Sequence, residues 1–391
     1  MSELSERGAS RITWIRSRMP LLAETRREFA ERRPLAGRRV GMSLHVEPKT
    51  AVLLEVLAAG GAEIVATGNH GSTQDDVVAH LRDQGMTVFG ARDDSLDRHH
   101  ANVAAVVDAR PDILLDNGAD LAAAVVAAGF ADRVVGGTEE TTSGGIRLRT
   151  ELAGRVPFPT IVINDSALKA IGENRHGVGQ SVVESLMRIT NLMIPGRRFV
   201  VAGYGWCGRG IAQYLRAFGG RVAVAEIDEI KAFEAALDGY RVDELGSLAE
   251  WGEFFITATG RAGVITDEIV DRMPSGAVLA NAGHFPWEID VPALTSRATS
   301  VTELDAAIER VDLRGGRHVI LLAGGRMVNL AGREPKGNSL EAMDLGFLLQ
   351  SLSLERVATD AASLPPGAQP VPDDLEREIA RRFVRALGAR I

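Results

Sequence analysis

The chain has 391 residues, 45% of them apolar and 25% charged, and a net charge of −8 from 44 basic and 52 acidic side chains. That length exceeds one ordinary hydrophobic core and points to two domains, and the composition excludes a disordered chain. The negative balance argues against a surface held by phosphate contacts to nucleic acid. Apolar runs such as Val103–Val107 and Leu121–Ala128 are far short of a membrane span, and Met1–Arg18 carries both charge signs and no secretory signal. The single cysteine, Cys207, excludes a disulfide scaffold or a thiolate metal cage, so the expected setting is the cytoplasm and no metal is expected.

In chain order, the spacing predicts strands at Arg39–Leu44, Ala62–Thr67, Ile113–Asn117, Arg133–Gly136 and Thr160–Asn164. It continues with Arg198–Ala202, Arg221–Ala225, Phe254–Thr257, Ala277–Asn281 and Val319–Leu322. Amphipathic stretches such as Lys49–Ala59, Asp75–Gln84 and Gly208–Phe218 lie between them. Strands separated by helix-length connections form βαβ units, hence an α/β fold with mainly parallel sheets. The Pro- and Ala-rich segment Ser363–Pro372 is expected as a linker before a last helix, Asp373–Leu387. The basic face of that helix (Arg377, Arg381, Arg382, Arg385) is expected to be solvated or to face a partner.

The most informative local motif lies in Arg198-Phe-Val-Val-Ala-Gly-Tyr-Gly-Trp-Cys-Gly. Gly203, Gly205 and Gly208 form G-x-G-x-x-G directly after an apolar strand and directly before an amphipathic helix. The first glycine permits the tight turn, the second lets backbone approach a pyrophosphate, and the third lets helix and strand pack closely. The helix N-terminus then offers N–H groups and a positive dipole end to the phosphates. A second strand ends at Glu226, where an acid binds the ribose diol and favours NAD over NADP.

Further motifs carry a family resemblance. Leu44-His45, Ser72-Thr-Gln-Asp75, Gly137-Thr-Glu-Glu-Thr-Thr142, Ile163-Asn-Asp-Ser166 and Met193-Ile-Pro-Gly196 all resemble S-adenosylhomocysteine hydrolase. So do Val201-Ala-Gly-Tyr-Gly205, Glu226-Ile-Asp228, Asn281-Ala-Gly-His-Phe285 and Gly325-Arg-Met-Val-Asn-Leu330, in the family's order from about Ile12 to Leu387. The resemblance implies two doubly wound parallel-sheet (Rossmann-like) domains. A substrate-binding domain at 1–181 and 336–362 would be interrupted by an NAD-binding domain at 182–335, with the linker and short C-terminal helix at 363–391. It also implies bound NAD, a small-molecule purine nucleoside substrate, no nucleic-acid or membrane partner, and a homo-oligomer, dimer or tetramer.

In that family the substrate is oxidised at C3′ by NAD, which makes C4′–H acidic. The 5′ group is eliminated, water adds, and the hydride returns. By resemblance, Lys169 handles the 3′ proton, Glu140 grips the ribose hydroxyls with Thr141 beside it, and His45 and His284 face the 5′ carbon. Lys169 and Glu173 stand i, i+4 apart, so in an α-helix they share a face. The expected cofactor set is Asn174, Gly203, Gly205, Trp206, Cys207, Gly208, Glu226, Thr257, Thr259, Asn281 and Asn329, the last on the nicotinamide carboxamide.

Departures from the family pattern gather on substrate recognition. Asn117 stands where the family has an aspartate working at the 5′ side, and Glu173 where it has a ribose-side aspartate. Glu47 and Lys49 replace residues that contact the base, and Gly68-Asn-His70-Gly replaces the segment lining the leaving-group pocket. Asn338-Ser339 replaces a His-Pro lid, and no Lys or Tyr follows Lys336. These changes are expected to mark a divergent paralogue, a nucleoside dehydratase or lyase that releases a 4′,5′-unsaturated nucleoside. The alternatives are ordinary hydrolysis of S-adenosylhomocysteine to adenosine and homocysteine, and an NAD-loaded regulatory pseudoenzyme.

Overall fold

The computed structural model of the chain describes residues 2–69, 71–283 and 287–389. The fold is α/β and divides into two compact units, Met1–Ala170 with Leu340–Ile391, and Ile171–Ser339. The division lies earlier than 181/182 because residues 171–181 pack with the second unit. Arg175 Nε donates to Gln213 Oε1 at 3.1 Å, and Gly179 meets Gly210 so closely that a Cβ on Gly179 would stand 2.7 Å from the Gly210 carbonyl carbon.

The first unit holds a seven-stranded, all-parallel sheet in the order Gly367–Gln369, Pro159–Val162, Gly136–Glu139, Ile113–Asp116, Arg39–Leu44, Glu63–Gly68, Thr87–Phe89. Chain order reverses between Arg39–Leu44 and Ile113–Asp116, and in open α/β sheets ligands bind at that switch, beyond the carboxyl ends of the strands. The helix Leu340–Asp360 packs against Gly136–Glu139 and Ile113–Asp116 and is buried around much of its circumference, as its run Leu348-Leu-Gln-Ser-Leu-Ser-Leu requires. Its Asp344 carboxylate accepts from Leu21 N at 3.0 Å and Leu22 N at 2.9 Å. This caps the helix Pro20–Arg32, whose own N-cap, Met19, offers no acceptor. Burial pushes the Asp344 carboxyl up to about 6.

The second unit holds an eight-stranded sheet. Arg241–Val242, Arg221–Ala225, Arg198–Ala202, Phe254–Thr257, Ala277–Asn281 and His318–Leu322 run parallel, and the antiparallel hairpin Ser300–Asp305/Ile308–Asp312 closes one edge. Its switch point lies between Arg198–Ala202 and Phe254–Thr257, directly beneath Gly203.

Two expectations need correction. The strand expected at Arg133–Gly136 begins where that segment ends, at Gly136–Glu139. Glycine enters this strand because there is no room for a side chain: a Cβ on Gly136 would stand 2.6 Å from Val357 Cγ1, and one on Gly137 2.7 Å from Leu114 O. The segment expected as a linker supplies an edge strand, Gly367–Gln369, parallel to Pro159–Val162, and Asp373–Ala386 packs on the helices Pro20–Arg32 and Leu340–Asp360. Among the described residues no helix is long and apolar enough to cross a membrane.

Candidate active site

In the first unit the expected residues follow directly on strand ends. His45 comes after Arg39–Leu44, Asn117 after Ile113–Asp116, and Glu140 and Thr141 after Gly136–Glu139. His45 Nδ1 lies 2.7 Å from Ser72 Oγ, which donates to Asn69 O at 3.0 Å. With the hydroxyl proton directed at Asn69, Ser72 accepts from Nδ1–H, and that tautomer places the basic lone pair on Nε2. Lys49 Nζ and Glu47 Oε2 are paired at 3.4 Å at the start of the helix Pro48–Ala59.

Glu140 is buried and clamped at both oxygens: Lys169 Nζ pairs with Oε1 and Gln350 Nε2 donates to Oε2. All three side chains are nine-tenths or more buried, so the ammonium–carboxylate pair acts in a medium that strengthens it. Lys169 opens a ten-residue π-helix, Lys169–Val178, not an α-helix, so the α-helical i, i+4 face expected for Lys169 and Glu173 does not describe it. The start of this helix is anchored from the other end of the chain. Ser166 Oγ donates to Glu376 Oε1 at 2.7 Å, and Leu168 N reaches Ser166 Oγ at 3.1 Å and Glu376 Oε1 at 3.3 Å.

Behind Asn117 and Glu140 stand two carboxylates that the sequence did not single out. Glu139 accepts from Gly118 N at 3.0 Å, Ala119 N at 2.9 Å, Thr141 N at 2.8 Å and Thr141 Oγ1 at 2.6 Å. Those contacts hold Ala119 in the left-handed region, φ 58°, a conformation an alanine rarely adopts. Thr141, expected on the substrate, instead has its hydroxyl engaged with Glu139 and with Gly144 N at 3.0 Å, where it caps the helix Thr142–Arg149. Asp116 accepts from Asn117 N, Leu121 N and Ala122 N. Burial, and then the charge of Glu139, push its carboxyl up to about 8, and burial pushes Glu139 up as well.

The Asp116 carboxyl therefore holds its proton into the neutral range. Because the folded value lies above the ordinary one, the stabilisation tied to that proton is complete near pH 4 and is lost as pH rises through about 8. The midpoint of thermal unfolding should fall between about pH 6 and pH 9, and should fall less in Asp116→Asn. Parallel profiles for the two proteins would refute the raised Asp116 carboxyl.

In the second unit, Gly203 has φ +98° and a Cβ there would meet Ala258 O at 2.7 Å, so only glycine makes this turn. A Cβ on Gly208 would lie 2.0 Å from Gly203 O, whereas one on Gly205 would point into open space. The helix Trp206–Ala217 starts at Gly205 with no side-chain cap, which suits a phosphate. Trp206 is exposed and Cys207 half-buried at its first positions. Glu226 ties the loop together, accepting from Tyr204 N at 2.6 Å, Ile227 N at 2.8 Å and Asp228 N at 3.0 Å.

Thr257 donates to Asn281 Oδ1 at 3.0 Å, and Asn281 in turn braces Gly283 and Gly325, so this expected pair is engaged within the fold. Thr259 and Gly260 are held by Glu288, a wholly buried carboxylate the sequence reading missed. Asn338 and Asn329 meet on one hydroxyl: Ser181 Oγ lies 3.1 Å from Asn338 Oδ1 and accepts from Asn329 Nδ2 at 3.1 Å. Asn338 Nδ2 reaches Glu173 Oε1 at 3.4 Å, and Asn174 follows Glu173 on the π-helix. The Asn329 Oδ1 atom is buried with no partner among the described residues, an acceptor that a carboxamide donor fits. These residues fit NAD. The expected His70 and His284 lie outside the described residues.

Fold and site together define an NAD-dependent enzyme built from a dinucleotide-binding unit inserted in a second α/β unit. Residues 2–132 match the sequence model described as S-adenosyl-L-homocysteine hydrolase, and residues 174–334 the one described as S-adenosyl-L-homocysteine hydrolase, NAD binding domain. The S-inosyl-L-homocysteine hydrolase of Methanopyrus kandleri is 43% identical over 98% of this chain and 92% of its own length. The adenosylhomocysteinase of Archaeoglobus fulgidus is 42% identical over 98% and 95%, and the S-inosyl-L-homocysteine hydrolase of Methanocaldococcus jannaschii 41% over 99% and 94%. The chain belongs to the S-adenosyl-L-homocysteine hydrolase family.

Proposed function

We propose that the protein hydrolyses the thioether of a purine nucleoside 5′-linked to homocysteine, yielding the nucleoside and homocysteine. The observation that carries this reading is the buried Glu140 carboxylate held between Lys169 and Gln350 at the carboxyl edge of the first sheet. NAD, when bound, supplies reversible hydride transfer at C3′ and with it the acidity of C4′–H. Gly203, Gly205 and Gly208 would cradle its pyrophosphate, Glu226 its adenosine ribose, and Asn329 its carboxamide. Lys169 and Glu140 take and return the 3′ hydroxyl proton in a dry site. His45, with Nδ1 held by Ser72, exchanges protons with the leaving sulfur and the incoming water through Nε2. Asn117 orients a 5′ group by hydrogen bonding and accepts no proton. The hydrolase names of the relatives support water addition over release of the unsaturated nucleoside expected from Asn117.

For the base, Lys49 and Glu47 supply one cationic donor and one anionic acceptor side by side. That pair matches a 6-oxopurine, with lysine on O6 and glutamate on N1–H. It matches a 6-aminopurine equally, with glutamate on the amino group and lysine on N1. Both S-adenosyl- and S-inosylhomocysteine are therefore expected to release homocysteine, as read by a thiol reagent. Lys49→Met should lower kcat/KM for both by about 10- to 100-fold, the range of one well-placed polar contact. Release of a 4′,5′-unsaturated nucleoside without labelled oxygen from H₂¹⁸O would restore the lyase reading, and loss on one base alone would remove the shared role of Lys49. A homo-oligomer belongs to the same proposal, supported by the exposed stripe Ile230, Phe233 and Leu237 on the helix Glu229–Leu237. A monomer mass by light scattering would remove it.

A further inference from the structure

Gln350 is wholly buried in a helix whose neighbouring buried residues are the apolar Phe347, Leu348, Leu349, Leu352 and Leu354 and the small hydroxyls Ser351 and Ser353. An amide in such a place costs on the order of 1–3 kcal/mol unless it is hydrogen-bonded. Only half of this amide is: Nε2 donates to Glu140 Oε2, while Oε1 is buried with no partner among the described residues. A leucine would fill the helix face without that penalty, so packing does not account for the residue. Glu140 accounts for it. Lys169 holds the other oxygen of the same carboxylate, yet in the proposed reaction Lys169 gives up and regains a proton, and its hold on Glu140 changes with each transfer. Gln350 is neutral at every pH and its grip does not change.

We propose that Gln350 is a positioning residue. It fixes the Glu140 carboxylate so that the geometry at the ribose hydroxyls survives the change of protonation on Lys169. This rests on the hydrolase reading above and adds to it a residue that acts through Glu140.

The experiment compares Gln350→Met with the parent holoenzyme, since methionine keeps length and helix preference while removing the amide, and with it the donor to Glu140. Turnover of S-adenosylhomocysteine should fall by about 30- to 100-fold, part of the range for a positioned acid–base group, while nucleoside affinity by calorimetry changes less than about threefold. Thermal unfolding should shift only modestly, because loss of a half-satisfied buried amide is offset by the Glu140 oxygen left without its donor. In a Glu140→Gln background the same substitution should change turnover by less than about twofold, since its route to the reaction is gone. Parental turnover in Gln350→Met overturns the proposal, as does an equal loss in both backgrounds or a loss confined to nucleoside affinity. Should Gln350→Met fold poorly, Gln350→Leu carries the same comparison. A parent that cleaves no thioether refutes the hydrolase reading itself, an outcome separate from any of these.

Discussion

Lys169→Met is expected to lower turnover by about 10²- to 10⁴-fold, the usual worth of a positioned proton-transfer group, with nucleoside binding largely kept. The side chain is buried, paired with Glu140, and set at the start of a helix whose first turn is anchored by Ser166. Methionine preserves the length and apolar stem and removes the group proposed to exchange the 3′ proton. The first half of the reaction can be followed alone, as growth of the reduced-nicotinamide absorbance when adenosine or inosine is mixed with holoenzyme. In the mutant that signal should be lost or slowed to the same degree as turnover. Parental kinetics of reduction would move the proton transfer elsewhere, with Glu140 the next candidate.

Glu226→Arg is expected to weaken NAD binding by about 100-fold or more and to yield protein that purifies without the cofactor. Hydrogen bonds to a charged partner are worth about 1.5–3 kcal/mol each, and this carboxylate makes several. It accepts three backbone N–H groups, among them Tyr204 N inside the glycine loop. The substitution therefore removes both the acceptor proposed for the ribose diol and the tie that shapes the glycine loop. Calorimetry of cofactor-stripped protein with NAD and NADP reads both effects. Equal NAD affinity in mutant and parent would show that Glu226 serves the loop or the ribose in name only.

The parts of the fold that were legible in sequence are those whose causes are local. Arg198–Ala202, Arg221–Ala225, Phe254–Thr257 and Ala277–Asn281 fall where the sequence places them, because a strand buried on both faces reads as an unbroken apolar run. Gly136–Glu139 was misplaced because Gly136 answers to Val357, more than 200 residues away, and Gly137 to Leu114 on the neighbouring strand, demands no local pattern carries. The edge strand Gly367–Gln369 was hidden for a similar reason: Pro and Ala mark a loop by composition, and only the open edge of Pro159–Val162 makes a strand of it.

The site divides along the same line. Gly203 and Gly208 were legible since glycine at those spacings has few other uses. Lys169, Glu140 and His45 stood out through their motifs, and Lys169 and Glu140 meet in the structure. Gln350 gave no signal, sitting 210 residues from the carboxylate it holds. Ser181, the hydroxyl joining Asn329 to Asn338, was equally silent. Thr141 took its expected role from its neighbour Glu140, and the structure adds that its hydroxyl caps the helix Thr142–Arg149.

The dependence of the Lys169 helix on Glu376 has a consequence for the order in which the chain is made. The second unit is one unbroken run, Ile171–Ser339, complete once Ser339 has left the ribosome. The first unit is not: it waits for the helix Leu340–Asp360, the strand Gly367–Gln369 and the helix Asp373–Ala386. Chains grow at about 5–20 residues per second and domains fold as units while they emerge, so the gap between Ser339 and Glu376 lasts roughly 2–7 s. Through that interval the nascent protein owns a finished dinucleotide fold and an unfinished lysine site. Translation halted there would leave the glycine loop and its sheet in place without the groups that anchor Lys169.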